Sequence, residues 1–275
     1  MPEGHTLAAL ARDLHAAFAG TTPTVTSPQG RFAQGAARVS GRPFVGATSR
    51  GKHLLLEFGD EQWVHVHLGL IGTFTVDAGD WTAEAPVTGA VRMRLATPEH
   101  VADLRGPIVC SVLTPEEVAA VLARLGPDPL RPDADPERAW QRIHRSGRSV
   151  AELLMDQAVL AGVGNVYRCE VLWRHRLSPT TAGRDLRPAS WSLVWDDLVR
   201  LMPLGVATGR IVTVEEQVLE VEAALGRGER PRLTRRTSSV YKREGLPCER
   251  CGSRIRARLV AGRTLYWCGR CQRRR

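Results

Sequence analysis

An α+β, multidomain fold is the class this sequence predicts, and three observations carry the reading. Short alternating strands follow one amphipathic helix, helical periodicity takes over after a proline-rich break, and four cysteines crowd the C-terminal tail. At 275 residues there is room for two or three domains, each with a buried core.

The first element is a helix over residues 6–18, because Leu7, Leu10, Ala11, Leu14 and Phe18 fall on one stripe and Gly20 supplies a stop. Residues 22–26, 42–48, 53–58, 63–68, 72–76, 91–95 and 108–113 then read as strands separated by Gly, Pro and Asp. Many short strands behind one leading helix point to a β-sandwich. A short helix over 115–125 precedes the stretch 126–133, whose prolines and aspartates mark a linker. Beyond it the periodicity turns helical, with segments at 149–158, 166–174, 190–202 and 214–225. Residues 227–243 are basic, polar and poor in large apolar side chains, as a mobile loop would be.

Composition narrows the function classes. The net charge is +9, and of the 38 basic residues only Lys52 and Lys242 are lysines. That excess suggests a polyanionic partner, nucleic acid ahead of an anionic membrane. No apolar run approaches a membrane span and no leader with a cleavage site is present, so the expectation is a cytoplasmic protein without membrane contact.

The start of the chain carries the sharpest chemistry. Removing Met1 from Met1-Pro2-Glu3-Gly4 leaves a proline nitrogen as the terminal amine. An α-amino group titrates near pH ~8 and a lysine near ~10.4, so at neutral pH far more of the former is an unprotonated nucleophile. A secondary amine that attacks carbon passes directly to a charged iminium. The following helix N-terminus lowers the amine's basicity further, and Glu3 places an acid/base within one residue.

In the tail, Cys248-x2-Cys251 and Cys268-x2-Cys271 have the spacing of a closed four-thiolate zinc site, structural because no coordination position is left open. The intervening residues 255–266 read as a hairpin with Ala261-Gly262 near its tip and Arg263 aimed outward. Arg250, Arg254, Arg256, Arg258, Arg270 and Arg273–Arg275 tilt the module toward phosphate contact. Cys110 and Cys169 stand alone and read as reduced packing residues. Gly162-Val163-Gly164-Asn165 lies between two helices, which favours a helix–turn–helix with backbone N–H groups and the Asn165 amide facing a phosphate. His65 and His67 alternate with valine and share a strand face; lacking a matching carboxylate, they read as hydrogen-bonded structural histidines.

Taken together, Pro2-Glu3, Gly51-Lys52, His67-Leu68-Gly69-Leu70, Leu125-Gly126-Pro127, Leu154-Met155-Asp156-Gln157 through Gly164-Asn165-Val166-Tyr167, and the four-cysteine tail with Gly262-Arg263 resemble the formamidopyrimidine-DNA glycosylase/endonuclease VIII family over nearly the whole chain. The resemblance implies an N-terminal β-sandwich with flanking helices (1–125), a linker (126–138), a helix–two-turns–helix domain with a basic loop (139–243) and a four-cysteine zinc finger (244–275). It also implies a monomeric base-excision repair enzyme, a bifunctional glycosylase and abasic-site lyase acting on damaged DNA by β,δ-elimination. Pro2 is then the nucleophile at C1′, Glu3 handles protons, and Lys52 contacts DNA near the lesion and assists catalysis. Leu70, with Ile71, is the wedge that fills the space of a flipped nucleotide, and Asn165 and Arg263 grip phosphates.

Two departures bear on substrate. Thr6 stands where the family commonly carries a glutamate, and residues 103–107 lack the Arg-Arg-Phe-Gly-like loop of the 8-oxoguanine branch. With Gly4 after Glu3, the chain resembles the endonuclease VIII branch, which prefers oxidised pyrimidines. The alternatives are a glycosylase for 8-oxoguanine and formamidopyrimidines, or a non-catalytic zinc-ribbon protein that binds DNA.

Overall fold

The structure is a computed structural model that describes residues 2–79, 81, 86–233 and 238–273. Met1, residues 234–237 of the basic stretch, and the terminal Arg274 and Arg275 lie outside the described residues. Two compact units divide the chain, Met1–Arg124 and Leu125–Arg275.

In the first unit, α1 (Gly4–Phe18) buries Leu7, Ala11, Leu14 and Phe18, the stripe its periodicity predicts. After β1 (Thr24–Thr26) come α2 (Ala33–Val39) and seven strands: β2 (Phe44–Arg50), β3 (His53–Phe58), β4 (Gln62–His67), β5 (Thr73–Ala78), β6 (Val91–Ala96), β7 (His100–Arg105) and β8 (Val109–Leu113). They form two four-stranded antiparallel sheets, in the orders β1-β6-β7-β5 and β2-β3-β4-β8. Leu54, Leu56, Val64 and Val66 meet Phe74, Met93, Leu95 and Leu104 in one core, and α1 contributes to it. Helix α3 (Pro115–Ala123) closes the unit, capped by the Thr114 and Glu117 pair.

Two elements depart from the sequence reading. Helix α2 has no counterpart in it; its seven residues bury only Ala36 and Val39, too short a stripe to show a period. Strand β7 is also absent from it, because Asp103 interrupts the apolar alternation. The structure tolerates that carboxylate by pairing it with Arg94 at 2.7 Å and Arg105 at 2.8 Å.

The second unit holds α4 (Pro136–His144), α5 (Val150–Leu153), α6 (Asn165–Arg174), α7 (Pro188–Thr208) and α8 (Glu215–Gly226), then the hairpin β9 (Ile255–Val260) and β10 (Arg263–Cys268). The helix expected over 149–158 stops at Leu153. Asp156 and Gln157 take the chain into two turns instead: Asp156 accepts from the Ala158 N–H at 3.0 Å, while Gln157 donates to the Val163 carbonyl and accepts from the Gly162 N–H, each at 3.0 Å. Residues 126–129, read as linker from their prolines, are buried. Gly126 donates to the Gln157 carbonyl at 2.9 Å, and a Cβ there would lie 2.3 Å from the Val159 oxygen. Only glycine fits so close to backbone.

The cysteine-bearing hairpin shares the helical core: Cys248, Ile255, Leu265 and Cys268 join Tyr167, Leu172 and Trp173 in one buried cluster. Its tip is the two-residue turn Ala261-Gly262, both at positive φ (50° and 70°), matching the strand twist. Among the described residues no helix is long and apolar enough to cross a membrane.

Candidate active site and nucleic-acid interface

Pro2 is half-buried and stands just ahead of α1, whose N-cap is Glu3. Glu3 is fully buried. The Thr6 N–H donates to the Glu3 carbonyl at 2.8 Å, and the Glu3 N–H donates back to the Thr6 hydroxyl at 3.4 Å. Thr6 therefore occupies the third helical position of a reciprocal cap, a duty glutamate often performs. The hydroxyl makes this backbone tie without bringing a negative charge to the cap. Burial holds the neighbouring His5 imidazole neutral by pulling its pKa down to about 4.

Lys52 is the second residue of a two-residue hairpin turn. Arg50 pairs with His53 across β2 and β3, and Gly51 takes φ +57° between them. Because Leu54 and Leu56 enter the core, His53 projects from the other sheet face, as do His65 and His67 of β4. His53 Nδ1 and His65 Nε2 are 2.8 Å apart, their rings stacked at 5.0 Å, and His67 meets His53 edge-on at 5.1 Å. The histidines are hydrogen-bonded, as expected, but as a set of three beside Lys52 rather than a pair.

His67 Nδ1 accepts the Gly69 N–H at 3.0 Å and so shapes the turn that follows β4. That turn lifts Leu70 (48% exposed) and Ile71 (86%) into solvent. Ile108, 68% exposed, packs so near Gly69 that a Cβ there would come within 2.6 Å of it. The apolar tip thus has a third member, which the sequence pattern assigns only to a strand end.

In the second unit α6 presents one face to the hairpin. Asn165 donates its amide to the Thr264 carbonyl at 2.8 Å, Cys169 Sγ accepts the Tyr266 N–H at 3.4 Å, and the Trp173 indole N–H donates to Cys248 Sγ at 3.5 Å. The three residues are four apart, hence one above another on the helix. Arg168, fully buried, donates to Asn165 Oδ1 and to the Ala151 carbonyl. Asn165 is thereby placed beside Thr264, the neighbour of Arg263, although its side chain is 4% exposed and largely engaged in docking. An amide nitrogen carries two hydrogens, so one remains for another acceptor. Arg263 opens β10, half-buried, with its guanidinium on the Gly262 carbonyl at 2.8 Å.

Cys248, Cys251, Cys268 and Cys271 place their sulfurs within 4.8 Å of one another. The Cys248–Cys271 and Cys251–Cys268 separations are 3.9 and 3.5 Å. A tetrahedral ion held at about 2.3 Å needs sulfurs about 3.8 Å apart, so the group fits a metal ion. Hydrogen bonds from Ser253 draw Cys251 down to about 6, while burial and the neighbouring sulfurs push Cys271 up, a conflict that a bound cation resolves.

One residue escapes the sequence reading altogether. Glu170, fully buried on α6, accepts the Ser239, Val240 and Tyr241 N–H groups at 2.7–2.8 Å and the Thr213 hydroxyl at 2.8 Å. It clamps residues 239–241 near the end of the basic stretch, and Gln217 donates to the Arg232 carbonyl near its start, at 3.3 Å. A glutamate inside an ordinary helix carries no sequence signal for such a role.

Comparison with known proteins fits this arrangement. Residues 1–107 match the formamidopyrimidine-DNA glycosylase N-terminal domain, 125–216 the H2TH domain of the same glycosylase, and 245–274 the zinc finger found in FPG and IleRS. The chain is 48% identical to Endonuclease 8 1 of Mycobacterium tuberculosis over 276 residues, covering 99% of this chain and 100% of the relative. It is 33% identical to Endonuclease 8 of Escherichia coli over 281 residues, again covering 99% and 100%. Lactococcus lactis Fpg in complex with abasic-site DNA shares the fold, with a TM-score of 0.80 at 21% identity over 99% of this chain and 100% of that one. MutM bound to carbocyclic 8-oxo-G DNA superposes with a TM-score of 0.79 at the same 21% identity, 99% and 100% covered. This chain belongs to the formamidopyrimidine-DNA glycosylase/endonuclease VIII family of DNA glycosylases with abasic-site lyase activity.

Proposed function

We propose that the chain removes oxidised pyrimidines from DNA and cleaves abasic sites with Pro2 as the nucleophile. The observation that carries this reading is Pro2 directly ahead of the α1 N-terminus, with the buried carboxylate of Glu3 next to it. Once Met1 is removed, the proline nitrogen attacks C1′ of the flipped nucleotide. Glu3 passes protons as the base departs and the sugar opens. The resulting iminium acidifies the adjacent sugar C–H, so the 3′ phosphate is eliminated, and a second elimination releases the 5′ side. Water as nucleophile would only remove the base.

Lys52 supplies a cation to the DNA near the lesion, and Leu70 and Ile71 enter the vacated stack. Asn165 and Arg263 hold backbone phosphates. The four cysteines hold zinc, which ties the finger loops together and takes no part in the chemistry. The protein acts as a monomer in the cytoplasm.

Borohydride reduction during incubation with an abasic-site duplex tests the assignment. A covalent adduct mapping to Pro2, lost in Pro2→Gly, is expected. An adduct elsewhere, or one undiminished in the variant, would overturn it. Comparing initial rates on 5-hydroxyuracil, thymine glycol and 8-oxoguanine duplexes tests the substrate branch, a purine preference overturning it. Roughly six phosphate contacts would weaken binding about a thousandfold from 50 to 200 mM salt.

A further inference from the structure

The histidines beside Lys52 differ in what a proton would do to them. His67 Nδ1 accepts the Gly69 N–H, so its neutral ring carries hydrogen on Nε2, and protonating Nδ1 would break that bond. His53 Nδ1 and His65 Nε2 already share one hydrogen across 2.8 Å. Of the pair's outer nitrogens, His53 Nε2 and His65 Nδ1, one holds hydrogen and the other a lone pair. A single proton can add at that lone pair with the shared bond intact, whereas a second would destroy the bond.

Among the described residues, the strand neighbours of the pair carry no carboxylate directly opposite it. Arg50 lies across β2 from His53, and Lys52 follows in the turn. Strand β8 opposes His65 and His67 with uncharged Ser111 and Val109. The nearest carboxylate of β3 on this face is Glu57, four residues from His53, or about 13 Å along the strand. Helix α3 contacts β4 and β8, but Glu116 and Glu117 are exposed and Glu117 caps Thr114. Burial first, then His65, His67 and Lys52, holds His53 down at about 4, and burial followed by His67 lowers His65, so both rings resist taking a proton.

We propose that the His53–His65 pair is a proton-loading element of the DNA site: when a phosphodiester settles against Lys52, the pair takes one proton from solvent and holds it as a shared imidazolium. The inference rests on the DNA-repair reading above and adds two binding residues to it. The anion brings negative charge beside the pair, the proton adds to the ring nitrogen that holds a lone pair, and it returns to water when the DNA leaves. His67 keeps its bond to Gly69 throughout, so the wedge turn is undisturbed.

Calorimetry of the zinc-loaded chain with a duplex carrying a tetrahydrofuran abasic analogue tests this, in two buffers of different ionisation enthalpy. At pH 6 about half a proton or more enters per complex, near zero at pH 8, and affinity falls several-fold between them. His53→Gln and His65→Gln each remove the uptake. His175→Gln, whose ring hydrogen-bonds Asp197 in the other unit, retains it. Identical heats in both buffers at pH 6, or uptake persisting in both cluster variants, overturns the inference. Should either variant fail to fold, carbon-13 histidine labelling of the wild type gives the same answer. Two ring signals moving together partway toward protonated positions on adding duplex support the pair; all rings staying neutral at pH 6 refutes it. Borohydride trapping on the same protein with an abasic-site duplex separates the two readings, since an adduct at Pro2 without proton uptake defeats this inference alone.

Discussion

On α6 the buried polar side chains meet partners of matching chemistry: Glu170 faces three backbone N–H groups and a hydroxyl, and Arg174 sits on Asp197 and Glu215 at 2.6 Å each. On the outer face of β3 and β4, by contrast, Lys52, His53, His65 and His67 gather bases beside bases. The helical unit uses charge to hold backbone, whereas the sandwich unit sets three imidazoles beside the Lys52 ammonium. Polar groups met internally favour rigidity, while a cluster of bases favours contact with an anion.

The largest test of that contrast is Glu170→Ala. It strands buried N–H groups at residues 239–241 and should cost about 4 kcal/mol or more by urea denaturation, with Glu170→Gln losing roughly half. A loss under about 1 kcal/mol would mean that this segment does not need its internal anion.

Next in size is the exception within the sandwich. Asp103 is buried between Arg94 and Arg105; burial would raise its pKa, yet the two guanidiniums outweigh it and hold the carboxyl low. Asp103→Asn should cost about 3 kcal/mol, because Arg94 is left buried without its counter-charge. Thermal unfolding compared with Arg92→Ala, whose hydrogen bond to Gln29 is exposed, reads the difference.

Acid should then separate the units by window. Folded His5 and His53 stay neutral to about 4, whereas both take a proton near 6.5 once unfolded. The unfolded chain therefore binds more protons in that interval, and the stability these residues contribute above pH 6.5 is lost as pH falls toward 4. His5 alone accounts for about 3 kcal/mol. In the helical unit Asp197 is lowered: burial raises it, but His175 and Arg174 prevail. Its contribution is present above the ordinary carboxylate value and disappears only at lower pH. Hydrogen exchange followed from pH 7 to pH 3 should show the sandwich amides loosening first; simultaneous loss would erase the distinction.

The smallest effect belongs to Trp173→Phe, which keeps an aromatic ring and removes the N–H bonded to Cys248. Stability should drop by about 1 kcal/mol and metal release to a chromogenic chelator should quicken about fivefold. An unchanged release rate would show that α6 supports the finger through packing alone.

Much of this architecture is legible in local chemistry. The stripe of α1, strand β3, the cysteine spacing and the hairpin tip at Ala261-Gly262 are short-range patterns, and the family motifs around Pro2, Lys52 and Asn165 are runs of adjacent residues. Strand β7 is hidden because its aspartate is tolerable only beside Arg94, nine residues away. The proline-rich 126–133 reads as linker because sequence shows backbone stiffness and not the carbonyls that Gly126 packs against.

By itself, then, the chain determined its periodicities, the spacing of its four clustered thiols and the place of Pro2 and Glu3 ahead of the first helix, all set by covalent order and spacing. Tertiary structure alone decided that Thr6 completes the α1 cap, that His53 joins His65 and His67, and that Glu170 collects donors 69–71 positions away. Such partners become neighbours only when hydrophobic burial brings distant segments together, and hydrogen-bond satisfaction inside the folded interior then selects which side chains meet.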